Sequence, residues 1–165
     1  MEGRETKKKE KKQHVEQRHP MLDTLLQAAS DHRLPHAIIL WGSLPPQEKD
    51  IFAADLAFGI LKIRRKMNSK RFRELAFSGG IPDFILVRHD PKRLKEGIGV
   101  EQIEQLNEEL ALYPVESENR VIYIPDAALL TLGAQNALLK KLEEPSQRNH
   151  FILAIHKPRS LLRTI

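Results

Sequence analysis

Cysteine is absent from this sequence, which excludes disulfides and cysteine–zinc sites outright. No apolar run approaches the roughly 18 residues a membrane-spanning helix needs. Met1 is followed by charged residues rather than by the apolar core of a secretory signal. No internal repeat is visible. These absences lead to the expectation of a cytoplasmic protein with no membrane partner. What remains is ordinary for a soluble chain: 41% hydrophobic and 30% charged residues over 165 positions, enough for one domain with a real core.

Lys and Arg outnumber Asp and Glu by 27 to 22, a net charge of +5. Such a balance is compatible with nucleic-acid contact without demonstrating it. Part of the excess lies at Arg4, Lys7, Lys8, Lys9, Lys11 and Lys12, and part in residues 62–73. Residues 1–18 are charged and nearly free of apolar side chains, so they read as a basic disordered tail.

Along the rest of the chain, short apolar runs alternate with helix-patterned segments. Residues 21–29 carry Leu22, Leu25, Leu26 and Ala29 at helical spacing. Residues 37–41 (AIILW) form an unbroken apolar run, the mark of a strand buried on both faces. A loop with two prolines is expected over 42–50, then a helix over 51–62. A basic stretch over 63–77 is partly helical. Residues 84–87 read as a strand, 100–112 as a helix with Ile103, Leu106 and Leu110 on one stripe, and 121–124 and 151–154 as strands. Strands alternating with amphipathic helices imply parallel βαβ units, and the fold class is α/β.

The loop after the first apolar run stands where a phosphate-binding loop would stand. That loop needs G-x-x-x-x-G-K-[ST], with glycines to wrap the phosphates, lysine to meet their charge and a hydroxyl for Mg²⁺. From Gly42 the chain reads GSLPPQEK. Gln47 stands for the second glycine, Glu48 for the lysine and Lys49 for the hydroxyl residue. Pro45 and Pro46 remove two N–H donors. Lys49 is one position late, and on a helix that shift turns a side chain by about 100°, away from the site. The residues alone leave two readings open, an ordinary strand-to-helix loop and a vestigial phosphate loop.

Residues 121–145, VIYIPDAALLTLGAQNALLKKLEEP, are the most specific stretch. A buried strand ends near Asp126, a helix-patterned run comes next, and Pro145 stops it. This order, with NALLKKLEEP nearly letter for letter, resembles the AAA+ domain of bacterial DNA polymerase III clamp-loader subunits, the delta-prime type above all. Ile81-Pro82-Asp83-Phe84 resembles the family's run before its second strand. Residues 98–103 (IGVEQI) resemble the opening of its next helix, and PRSLLRTI at 158–165 resembles the segment before its Ser-Arg-Cys motif. The resemblance runs from about Pro35 to the last residue.

The resemblance implies a three-layer, parallel-sheet P-loop NTPase-like domain over 19–165, incomplete at its C-terminal end, with the lid and collar domains absent. It also favours the vestigial reading of the loop. In active relatives the third strand ends in Asp-Glu, matched here by Pro125 and Asp126. The polar sensor after the fourth strand is matched by Ile155 and His156, and His156 is expected to be a plain surface-loop histidine. The degenerate nucleotide positions are thus Gly42, Gln47, Glu48, Lys49, Pro125, Asp126, Ile155 and His156. No catalytic residue remains, and neither ATP nor zinc is expected to bind. Many family members hold zinc through four cysteines, but the matching residues 61–80 contain none. His89, His150 and His156 lack the spacing of a histidine site.

The same resemblance implies a non-hydrolysing delta-prime-like subunit that supports loading of the sliding clamp onto primed DNA, beside gamma/tau and delta subunits. The alternative is a gamma/tau-like ATPase with an atypical phosphate loop. Lys140 and Lys141 are candidate contacts to DNA phosphate, a solvated helix face being at least as good a reading. The family's fifth strand would lie beside residues 37–41, so without it that run is an expected open edge, prone to pairing.

Overall fold

Residues 19–89, 97–144 and 146–156 are described by the computed structural model. The expected tail at 1–18, the helix stop at Pro145 and the PRSLLRTI segment at 158–165 lie outside them. The described elements run α1 (Pro20–Ser30), β1 (Ala37–Trp41), α2 (Pro46–Leu61), α3 (Ser69–Phe77), β2 (Phe84–Leu86), α4 (Val100–Leu110), β3 (Arg120–Ile124), a single 3₁₀ turn (Ala127–Leu129), α5 (Leu132–Glu143) and β4 (Asn149–Ile155). The four strands pair in parallel in the order β1-β4-β3-β2. Helices cover both faces, the three-layer α/β arrangement expected for alternating strands and helices.

The two central strands sort their side chains by alternation. Val121 and Tyr123 of β3, with Ile152 and Ala154 of β4, face a core built with Leu22, Phe52, Leu56, Ile60 and Phe72. Ile122 and Ile124, with Phe151, Leu153 and Ile155, face the other core, filled by Ile103, Leu106, Leu110 and Leu138. A strand covered on both faces needs no polar positions, which is why β3 and β4 read as apolar runs. On the first face α1 crosses α2 closely at Gly59, where an added Cβ would overlap Leu26. That contact explains a glycine inside a helix, otherwise a costly choice.

Two expectations from the sequence are corrected. First, β1 is not buried on both faces. It pairs only with β4 among the described residues, and Ile39 and Trp41 are 45% and 70% exposed. Second, the loop after β1 is shorter than expected, because α2 begins at Pro46 rather than near Ile51. Proline at the first helical position loses a donor that would be unpaired anyway, and its fixed φ suits a helix start.

At the N-terminal end of the sheet, two buried charges tie the loops down. Asp83, just before β2, accepts hydrogen bonds from the backbone N–H groups of Val115 (2.7 Å), Glu116 (2.7 Å) and Ser117 (2.9 Å). The Arg120 guanidinium donates to Glu109 O (2.7 Å), Leu112 O (3.2 Å) and Tyr113 O (3.1 Å). It thereby satisfies carbonyls left open where α4 ends, and its charge complements the helix dipole. No helix among the described residues is long and apolar enough to cross a membrane.

Candidate functional site

In an open parallel sheet, ligands bind beyond the carboxyl ends of the strands. Here that region is formed by the loop after β1, the first turns of α2 and the ends of β3 and β4. Gly42 opens the loop with φ +132°, a conformation glycine adopts without strain. Gln47 and Glu48 occupy the first turn of α2 and are exposed.

Lys49 behaves contrary to expectation. It is 1% exposed, and its Nζ donates to Gly42 O (2.9 Å) and Ile155 O (2.7 Å) and lies 3.3 Å from His156 Nδ1. The reason is the early start of α2. With the helix running from Pro46, the inward stripe is Lys49, Phe52, Ala53, Leu56, Ala57 and Ile60, an i, i+3, i+4 series. The rotation of about 100° per residue, expected to turn Lys49 away, instead carries it into the cleft between β1 and β4. Extending the stripe back from Phe52 is the sequence signal that would have found it.

His156 also departs from the plain loop histidine that was expected. It is half-buried, and its Nε2 lies 3.1 Å from Pro125 O. The tautomer protonated on Nε2 satisfies both contacts: Nε2–H donates to Pro125 O, and Nδ1 accepts from the Lys49 ammonium. An ammonium has three donors, and all three are engaged. An isolated charge would be costly to bury; two carbonyls and an imidazole replace the water it loses.

Five of the eight expected positions therefore converge: Gly42, Lys49, Pro125, Ile155 and His156. Ile155 takes part through its carbonyl, its side chain lying in the core. Gln47 and Glu48 stay outside. Asp126 is half-buried, and one carboxylate oxygen, Oδ1, has no hydrogen-bond partner among the described residues. Lys140 and Lys141 lie in the last turn of α5, the first exposed and the second half-buried. Among the described residues no group of His, Asp and Glu has an arrangement that could hold a metal ion.

A pair missed in the sequence braces this region. The Tyr123 hydroxyl of β3 donates to Asp50 Oδ1 of α2 at 2.7 Å. Burial first, then the bond to the Asp50 carboxylate and its charge, hold the phenol well above its ordinary pKa, with Arg88 opposing weakly.

Comparison with known proteins agrees with this architecture. The family model described as DNA polymerase III, delta subunit, matches residues 17–165. DNA polymerase III subunit delta' of Yersinia pestis is 33% identical over 135 residues, covering 79% of this chain and 39% of the relative. The Escherichia coli K12 subunit delta' is 37% identical over 92 residues, 56% of this chain and 27% of the relative. A shorter match, 37% over 67 residues, reaches DNA polymerase III subunit tau of Bacillus subtilis, with 41% of this chain and 12% of the relative covered. The chain spans about two-fifths of the length of the Yersinia relative. A crystal structure of a DNA polymerase III gamma subunit-related protein from Thermotoga maritima superimposes with a TM-score of 0.60 at 22% identity. It covers 87% of this chain and 42% of that one, and it supports the fold alone. By the match over residues 17–165, this chain belongs to the DNA polymerase III delta-subunit family, the delta-prime type of AAA+ clamp-loader protein that its motifs resemble.

Proposed function

We propose that residues 19–165 are the ATPase-like domain of a delta-prime-type clamp-loader subunit that neither binds nor hydrolyses ATP. In this reading it is the stationary partner of gamma/tau and delta subunits in a cytoplasmic complex that opens the sliding clamp and sets it on primed DNA. Residues 1–18 are a basic tail, and no zinc or nucleotide cofactor is involved.

The observation that carries the reading is the Lys49 ammonium. A phosphate needs free N–H donors and an uncommitted cation. Lys49 spends its donors on Gly42 O, Ile155 O and His156. Pro45 and Pro46 offer no N–H, and Glu48 adds a negative charge at the start of α2. On the hydrolytic side, Pro125 offers this site only its backbone carbonyl, already engaged by His156. An Mg²⁺ ion would find no carboxylate at that position.

Isothermal titration with Mg-ATP tests the proposal. The expected result is no saturable heat. A dissociation constant at or below about 10 μM, near −7 kcal/mol, would instead favour a gamma/tau-like motor.

A further inference from the structure

Between Asp55 and Glu74 the chain has no acidic residue and seven basic ones: Lys62, Arg64, Arg65, Lys66, Lys70, Arg71 and Arg73. The stretch turns out of the C-terminal end of α2 and enters α3. It lies toward the end of α2 opposite Lys49, and the rise along α2 from Lys49 to Leu61 separates the two by about 18 Å at 1.5 Å per residue.

This is not a loose charged segment. Ile63 and Met67 pack on the core, Phe72 is fully buried, and Asn68 caps α3 by accepting from Arg71 N at 2.9 Å. Anchors at Ile63 and Met67 turn the intervening side chains outward. Three of the seven cations are neutralised by carboxylates: Arg65 by Glu116 (3.2 Å), Arg71 by Glu74 (3.1 Å) and Arg73 by Asp55 (2.7 Å). Lys62, Arg64, Lys66 and Lys70 are exposed and have no ion pair among the described residues. Lys62 and Arg64 also line an open groove of about 550 Å³, where Glu116 is already paired and Glu118 is the other carboxylate.

Lys62 and Arg64 share that groove with one remaining carboxylate, and Lys66 and Lys70 are exposed farther along the same anchored stretch. Like charges brought together in this way repel, and a polyanion relieves the repulsion while losing little entropy to ordering the protein. We propose that Lys62, Arg64, Lys66 and Lys70 form a binding surface for a nucleic-acid phosphate backbone, separate from the Lys49 site and from Lys140 and Lys141. The contact is sequence-independent, because phosphate neutralisation reads no bases. The choice of nucleic acid as the polyanion rests on the replication reading above.

Binding of a fluorescein-labelled 25-base-pair duplex to the full chain, followed by anisotropy from 50 to 200 mM NaCl, tests the surface. Four phosphate contacts contribute about −3.6 to the slope of log K against log salt, so affinity falls roughly a hundredfold over that range. The variant K62Q/R64Q/K66Q/K70Q should keep the same thermal melt and lose at least three units of that slope. The variant K140Q/K141Q should retain the contribution. A quadruple-variant slope within one unit of the parent, a slope lost only with Lys140 and Lys141, or no duplex binding at 50 mM would each overturn the proposal. So would displacement of the duplex by polyglutamate at matched charge, which would assign the surface to an acidic protein. Mg-ATP binding would sink the non-hydrolysing reading and leave this slope untouched, so the two failures are distinguishable.

Discussion

Lys49 and Asp83 are buried charges of opposite sign at opposite ends of the same sheet, 1% and 0% exposed. Neither meets a counter-ion among the described residues. The ammonium is held by two carbonyls and an imidazole, the carboxylate by three backbone N–H groups. Each ties a loop to the strand ends. The difference lies in what each leaves for a ligand. Asp83 closes the N-terminal end, where parallel sheets rarely do chemistry. Lys49 closes the carboxyl end, where they usually do. One contact braces the fold, whereas the other fills the strand ends where ligands of such sheets usually bind.

Losing Asp83 should cost the most. Asp83→Ala leaves three donors without their acceptor, and a buried orphan donor costs about 1–3 kcal/mol. Part of the loop can rewet, so urea denaturation should show a loss of about 3–5 kcal/mol. A loss below about 1 kcal/mol would mean that the loop does not depend on the carboxylate. Lys49→Met should cost less, about 1–3 kcal/mol, because carbonyls tolerate under-satisfaction better than amides and the desolvated charge is removed as well. If the Lys49 loss exceeded that of Asp83, the ranking would be reversed. His156→Ala removes one acceptor from the ammonium and frees Pro125 O, with about 0.5–1.5 kcal/mol expected in the same assay.

The two ends should also differ in pH response. Tyr123, bonded to α2 close to the Lys49 loop, has a raised pKa. Above its ordinary value near 10 the unfolded chain releases a proton that the folded chain retains, so stability falls as pH rises beyond 10. His150, at the start of β4, has a lowered pKa, first through burial and less through His36, with a backbone bond to Pro35 opposing. Below its ordinary 6.5 the unfolded chain takes up a proton before the folded one does. Stability therefore falls as pH drops through 6.5 and levels off once the folded chain is protonated as well. Tyr123→Phe should flatten the alkaline limb and His150→Leu the acid limb. Unchanged limbs in melts from about pH 5 to about pH 11 would refute the respective assignments.

The sheet itself was legible. All four strands and the helices over 20–30, 100–110 and 132–143 fall where periodicity put them, give or take a residue or two at the ends. Burial was less legible. AIILW of β1 and the VIYI run of β3 look similarly apolar, yet every β3 residue is buried and β1 is half open. The difference comes from strand order, which hydrophobicity does not encode. The site was misread for a local reason: two adjacent prolines suggested loop, although the second of them starts α2. That shift of helix start moved Lys49 from outside to inside. Asp83 was visible in the Pro-Asp-Phe run, but its partners lie more than thirty residues away, beyond the reach of any local pattern.

The central claim is that the Lys49 ammonium belongs to the protein's own backbone and not to a phosphate. Two-dimensional NMR of protein labelled with ¹⁵N-lysine, titrated with Mg-ATP, tests it most directly. One ammonium signal, lost in Lys49→Met, should show slowed proton exchange and stay unmoved up to millimolar nucleotide. A Lys49 signal that exchanges like the surface lysines, or that shifts saturably with Mg-ATP, would contradict it.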